Sequence, residues 1–138
     1  MDLSRAAKLI SGITVLAVPT IMYGGLTLLG VVTSGEAGLA PSAVELNDTQ
    51  QALWRAGHAH AGVWVILSLV IQILLDATKL SVFWEWSARL LAPLAAVVFS
   101  GGFFGLAFVS AFSTVLWLGL LMMAASLIIT GVGLLRNL

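Results

Sequence analysis

The sequence predicts an all-α integral membrane protein, a four-helix bundle in one domain with both termini cytoplasmic. Three observations predict it. Of the 138 residues, 60% are hydrophobic and only 9% are charged, and mean hydropathy is +1.09. A soluble domain carries roughly a quarter charged residues, so this chain cannot cover itself with a hydrated surface. Its apolar residues also gather into four runs of near the roughly 20 residues that a bilayer core demands. The cations then divide by side. Arg5, Lys8, Lys79, Arg89 and Arg136 flank one set of helix ends and Arg55 alone the other, which places both termini in the cytoplasm by the positive-inside rule.

Helix one covers residues 9–32. Arg5 and Lys8 ahead of an apolar run suggest a signal peptide, but the apolar region of a signal spans only about 7–15 residues. The flank Thr33-Ser34-Gly35-Glu36 also lacks a small-x-small cleavage site. Pro19 frees a backbone carbonyl and kinks this helix, with Thr20 or Tyr23 placed to satisfy it. An outer loop, 33–47, carries Glu36 and Glu45. Asp48 as N-cap, with Gln51 reaching back, opens helix two over 49–78, and Asp76 and Lys79 are spaced to pair. The link 80–87 holds Trp84-Glu85-Trp86, an interfacial pattern. Helix three, 88–110, contains Pro93 and the pair Gly101-x-x-x-Gly105, which permits close helix approach. A short turn leads to helix four, 114–135.

Several functions lack their residues. There is no cysteine and no basic tail, so thiolate chemistry and nucleic-acid binding have no basis. HExxH, a phosphate-cradling glycine loop and the GxSxG elbow are all missing. A hydrolase would have to assemble from Glu36, Glu45 or Asp48, and whether the protein is an enzyme stays open.

The chemistry concentrates at the start of helix two, in Leu53-Trp54-Arg55-Ala56-Gly57-His58-Ala59-His60-Ala61-Gly62. At about 100° per residue, His58 and His60 point about 160° apart and cannot chelate one ion together. His58 shares a polar stripe with Gln51, Arg55, Gly62, Gln72 and Asp76, which should face the bundle interior. His60 shares its side with Leu53, Ala56, Trp64 and Leu67, and should face a second helix, a second copy or the headgroups. Imidazole ligates metals and heme iron and relays protons. Arg55, one turn nearer water, suits an anionic group, and Gly62 leaves room for a flat ligand. By depth, Tyr23, Thr27, Ser110 and Thr114 should converge on the same mouth. The candidate cofactor-binding residues are His58, Arg55, Gly62 and His60, with His58 and His60 as separate metal ligands. About 27 Å along the helix separates His58 from Asp76, which excludes a carboxylate–histidine couple.

The string Arg55-Ala56-Gly57-His58-Ala59-His60-Ala61-Gly62, with Gly24-Gly25 in helix one, resembles a group of small, uncharacterised four-helix bacterial membrane proteins. That resemblance implies a bacterial inner-membrane protein and brings no activity. Arg55-x-x-His58 is also similar to the element that ligates low-spin heme in the catalytic subunit of heme-copper oxidases. No later histidine supplies the second heme ligand or the copper ligands of that family, so oxidase activity is excluded.

The expectation is a histidine-centred site at the outer mouth of the bundle, holding heme b or a metal. Two alternatives stand beside it. In one, a homo-oligomer conducts protons or a small solute along Arg55, His58, Gln72 and Asp76. In the other, the chain is an accessory subunit docked in a larger membrane complex.

Overall fold

The computed structural model describes residues 2–33, 35 and 45–136. In chain order these form α1 (Arg5–Val32), α2 (Asp48–Leu75), α3 (Val82–Leu106) and α4 (Phe112–Leu135). No strand occurs among the described residues. All four helices are long and apolar enough to cross a membrane. Large apolar side chains such as Leu16, Val63, Val97, Trp117 and Ile128 are exposed on the outside, the reverse of a soluble surface. This is a multi-pass, all-α membrane protein. The predicted cation partition holds: Arg5, Lys8, Lys79, Arg89 and Arg136 lie at the end that carries both chain termini, and Arg55 lies at the loop end.

Several boundaries differ from the sequence reading. The N-cap of α2 is Asn47, not Asp48: its side chain accepts from the Gln50 amide at 3.0 Å, and Gln50 Oε1 accepts from the Asn47 amide at 3.0 Å. Asn caps as well as Asp, and the shift leaves Asp48 in the first turn, where the helix dipole favours its charge. Gln50 Nε2 also donates to the Ala107 carbonyl at 2.9 Å, fastening the start of α2 to the end of α3. Helix α3 begins at Val82 rather than 88, so Trp84-Glu85-Trp86 belongs to its first turns. Both α2 and α3 end earlier than expected, at Leu75 and Leu106, while α1 and α4 start earlier, at Arg5 and Phe112. Most of the outer loop, including Glu36, lies outside the described residues.

Helices α3 and α4 approach most closely, through Gly105 of the predicted pair, which lies against the Phe112 ring at the start of α4, and through two glycines outside that pair. A Cβ at Gly119 would lie 2.7 Å from the Phe99 backbone nitrogen, and one at Gly102 would lie 2.9 Å from the Leu116 side chain. Gly101 meets nothing within 4 Å, and Gly105 is covered by the Phe112 ring. The apolar core sits nearer the terminus end, built from Ile71, Leu75, Ala88, Ala92, Ala95 and Met123. Ser126 of α4 donates into it, to the Ala88 carbonyl at 2.8 Å.

Beside that core lies a feature the sequence reading assigned to a helix flank. Arg89 is 0% exposed. Its guanidinium pairs with Asp76 and with Glu85, at 2.9 Å from the latter. It also donates to the Gln72 carbonyl at 3.0 Å, and Gln72 Nε2 returns a bond to the Arg89 carbonyl at 3.0 Å. From α1, the Ser4 amide and hydroxyl donate to Asp76 at 2.8 and 2.7 Å. Asp76 therefore pairs with Arg89 and Ser4 instead of Lys79. One cation ties three helices together.

Truncating one member of a buried ion pair leaves the other uncompensated and costs about 3–5 kcal/mol. Arg89→Ala should lower the thermal midpoint in detergent sharply, while Lys79→Ala should leave it near wild type. Asp76 sits just past α2, where burial pushes its carboxyl up. The Ser4 amide and hydroxyl and the Arg89 guanidinium outweigh that and hold it below its ordinary value. A depressed folded-state pKa gives stability that is present above the unfolded value and lost as pH falls through the folded one. The midpoint should thus hold between about pH 7 and 5 and fall below about pH 4, with the acid loss missing in Asp76→Asn. At the α3–α4 contact, Gly119→Ala should cost about 1–3 kcal/mol of unfolding free energy, and Gly101→Ala almost nothing.

Candidate functional site at His58

His58 projects from α2 towards α1, where Gly25 makes room for it. A Cβ at Gly25 would lie 2.9 Å from both Cε1 and Nε2 of the imidazole. The His58 ring makes no hydrogen bond among the described residues. It borders a cavity of about 480 Å³ whose α1 wall includes Thr20, Tyr23, Gly24 and Thr27. Trp54 and Ala61 of α2 and Phe104 of α3 close the other side. Trp54 meets Phe104 edge-on, with ring centroids 5.7 Å apart.

The cavity exists because α1 is held at its ends. Its buried residues are Ala7, Ile10 and Thr14 towards the terminus end and Gly30 and Val31 at the other. Between them α1 leans on α2 and stands off α3. Pro19 lies in this middle stretch. Thr20 donates to the Ala17 carbonyl at 2.6 Å and Thr27 to the Tyr23 carbonyl at 3.0 Å, so both hydroxyls are spent on their own helix.

The predicted stripe divides into two parts. His58 and Tyr23 line the cavity. Arg55 is exposed at its rim, donating to Gln51 Oε1 at 3.4 Å, and Gln51 in turn donates to the Leu46 carbonyl at 3.0 Å. Gln72 and Asp76 belong to the Arg89 cluster at the opposite end. Gly62 meets nothing within 4 Å and lies outside the cavity wall. Ser110 and Thr114 are exposed at the loop end and do not converge on His58. A further correction concerns ionisable residues within other helices. In the sequence Arg89 counts only as a flanking cation, whereas it is buried inside α3.

His60 points to α3. Its Nδ1–H donates to the Ala56 carbonyl at 2.7 Å, since a carbonyl only accepts. The ring stacks on Phe103 at 5.2 Å and meets Phe99 edge-on at 5.2 Å. Trp64 stacks on the same Phe99 at 4.1 Å. His60 is thus a packing residue in an aromatic cluster, and it diverges from His58 as helix geometry requires. No group of three or more metal-ligating side chains occurs among the described residues.

Chemically, the site offers an unpaired imidazole in an apolar, aromatic-walled cleft with no carboxylate among the described residues that line it. Trp54 and Phe104 were not among the predicted site residues. Only their spacing to His58 and the interfacial preference of tryptophan hinted at them.

The chain matches no protein-family model, no curated protein and no solved structure.

The role assigned to His60 has a direct check. His60→Phe keeps the ring stack and should shift the thermal midpoint little, whereas His60→Ala should cost about 1–3 kcal/mol through lost aromatic packing.

Proposed function

We propose that the protein binds a membrane-borne ligand in the cleft between α1 and α2, with His58 facing the ligand's polar or metal-bearing end. The observation that carries this reading is the unpaired His58 imidazole on the wall of an apolar cleft. In the cytoplasmic-termini orientation, within a bacterial inner membrane, that cleft opens at the outer half of the bilayer. The volume falls in the range of about 300–1,000 Å³ of small-molecule sites.

Heme b is the ligand that the Arg55-x-x-His58 spacing suggests. The walls fit a flat, apolar group, and Arg55 at the rim suits a propionate. For Nε2 to ligate iron, the imidazole has to turn from Gly25 into the cleft. The conducting alternative has less support, because Gln72 and Asp76 are committed to Arg89 and no stripe continues from them to His58. The binding reading uses one chain and needs neither a second copy nor a larger complex.

Purification in mild detergent, an absorption spectrum and mass spectrometry of the organic extract test it. A stoichiometric ligand should be retained by wild type and lost in Gly24→Leu, whose added side chain enters the cleft from a position with nothing within 4 Å. A Soret band removed by His58→Ala would identify heme b, and a colourless extracted ligand would identify a non-heme one. Equal ligand content in wild type and Gly24→Leu would sink the reading.

A further inference from the structure

The cleft does not end at His58. A second apolar cavity, of about 600 Å³, shares Thr20, Ile21, Ala61 and Phe104 with the first and continues between α1 and α3 to Ile10 and Leu90. From Leu28 to Ile10 the α1 wall runs about 27 Å at 1.5 Å per residue, close to the roughly 30 Å of hydrocarbon in a bilayer. Among the described residues no charged side chain lines the second cavity, and His58 is the one ionisable group besides Tyr23 on the first.

Two donors on this wall lack partners. Trp54 Nε1 and Ser100 Oγ are both closed off from a water-sized probe and make no hydrogen bond among the described residues, so a ligand acceptor meets them only when the Ser100 hydroxyl and the Trp54 ring turn towards the cavity. Ser100 is 5% exposed and lines the long cavity. Its carbonyl lies 3.1 Å from where a Cβ on Gly57 would be, which sets it at the level of α2 beside His58. Phe104, one turn along α3 and edge-on to Trp54, lines both cavities. An unpaired donor away from water is costly, and indole Nε1–H can be satisfied only by an acceptor.

These features describe a ligand: a neutral flat head with acceptors at two levels, aromatic contact on its faces, and one long apolar chain. We propose that cleft and groove together bind a long-chain quinone. Its dicarbonyl ring lies among Trp54, His58, Phe104 and Ser100, and its tail lies in the α1–α3 groove. This rests on the ligand-binding reading above. A phospholipid fits less well, because no lysine or arginine lines either cavity to meet a phosphate and Arg55 is turned to Gln51 at the rim.

The test is tryptophan-fluorescence quenching of the purified, delipidated protein by decylubiquinone and by its tail-less parent benzoquinone. Decylubiquinone should quench saturably, with most of the signal lost in Trp54→Phe. Ser100→Ala should weaken both compounds about tenfold. Gly101 lines the groove and has nothing within 4 Å, so Gly101→Leu obstructs the tail path without disturbing packing. It should weaken decylubiquinone about tenfold, by analogy with the loss of several buried methylenes, and leave the tail-less ring unchanged. Equal affinities in Gly101→Leu and wild type, or displacement by phospholipid at equal concentration, would overturn the proposal. If no quinone binds while Gly24→Leu still expels the retained ligand, the quinone assignment falls and the binding site stands. If neither quinone nor Gly24→Leu has any effect, both fall.

Discussion

A guanidinium with no exposed surface, in a chain made mostly for hydrocarbon, sets terms for everything around it. A charge at that depth must be neutralised and hydrogen-bonded or it is prohibitively costly. Arg89 meets the demand with two carboxylates, a backbone carbonyl and a glutamine amide drawn from its own helix and from α2. Ser4 then brings α1 to the same anion through its amide and hydroxyl. Because the Gln72 and Arg89 carbonyls take part as well as side chains, the network fixes the longitudinal register of the backbones. α4 is brought in one residue away, through Ser126 and the Ala88 carbonyl.

With register set at that end, small residues decide how near the helices come. Gly102 and Gly119 let α3 and α4 interlock, and Gly57 seats on the α3 backbone at Ser100. No such set lies between α1 and α3. Gly25 admits the His58 ring instead of a neighbouring backbone, and the middle of α1 buries nothing. Space for a ligand is thus what remains where packing is withheld, between a helix fixed at its ends and three that are tightly joined.

The four spans were legible because hydropathy averaged over a span is insensitive to local detail. The divergence of His58 and His60 was legible too, since it follows from the turn angle alone. Arg89 was not. A cation beside Trp84-Glu85-Trp86 reads as a flank, and nothing in composition says that Glu85, Asp76 and Ser4 will surround it. The Gly101-x-x-x-Gly105 spacing shows that a close face exists without saying which way it turns: Gly105 works with Gly102 and Gly119 against α4, and Gly101 turns away. At the site, His58 announced itself as a rare ionisable residue in an apolar chain. Trp54 and Ser100 did not, because a missing hydrogen bond is a property of surroundings and not of residue type.

The Arg89 network also bears on the order in which the bundle comes together. Asp76 and Arg89 are 13 residues apart, while Ser4 is 72 from Asp76 and 85 from Arg89. Closing the longer loop costs more chain entropy, and contacts distant in sequence form late. On loop length alone, the Ser4 contacts of α1 are expected to form after those that join α2 and α3. Until α1 docks, Trp54, His58 and Ser100 form an open wall on a finished three-helix unit, accessible sideways from the bilayer. On the ligand-binding reading proposed above, a lipid-soluble ligand settles on that wall before α1 closes over it, and loading and completion of the fold become a single event.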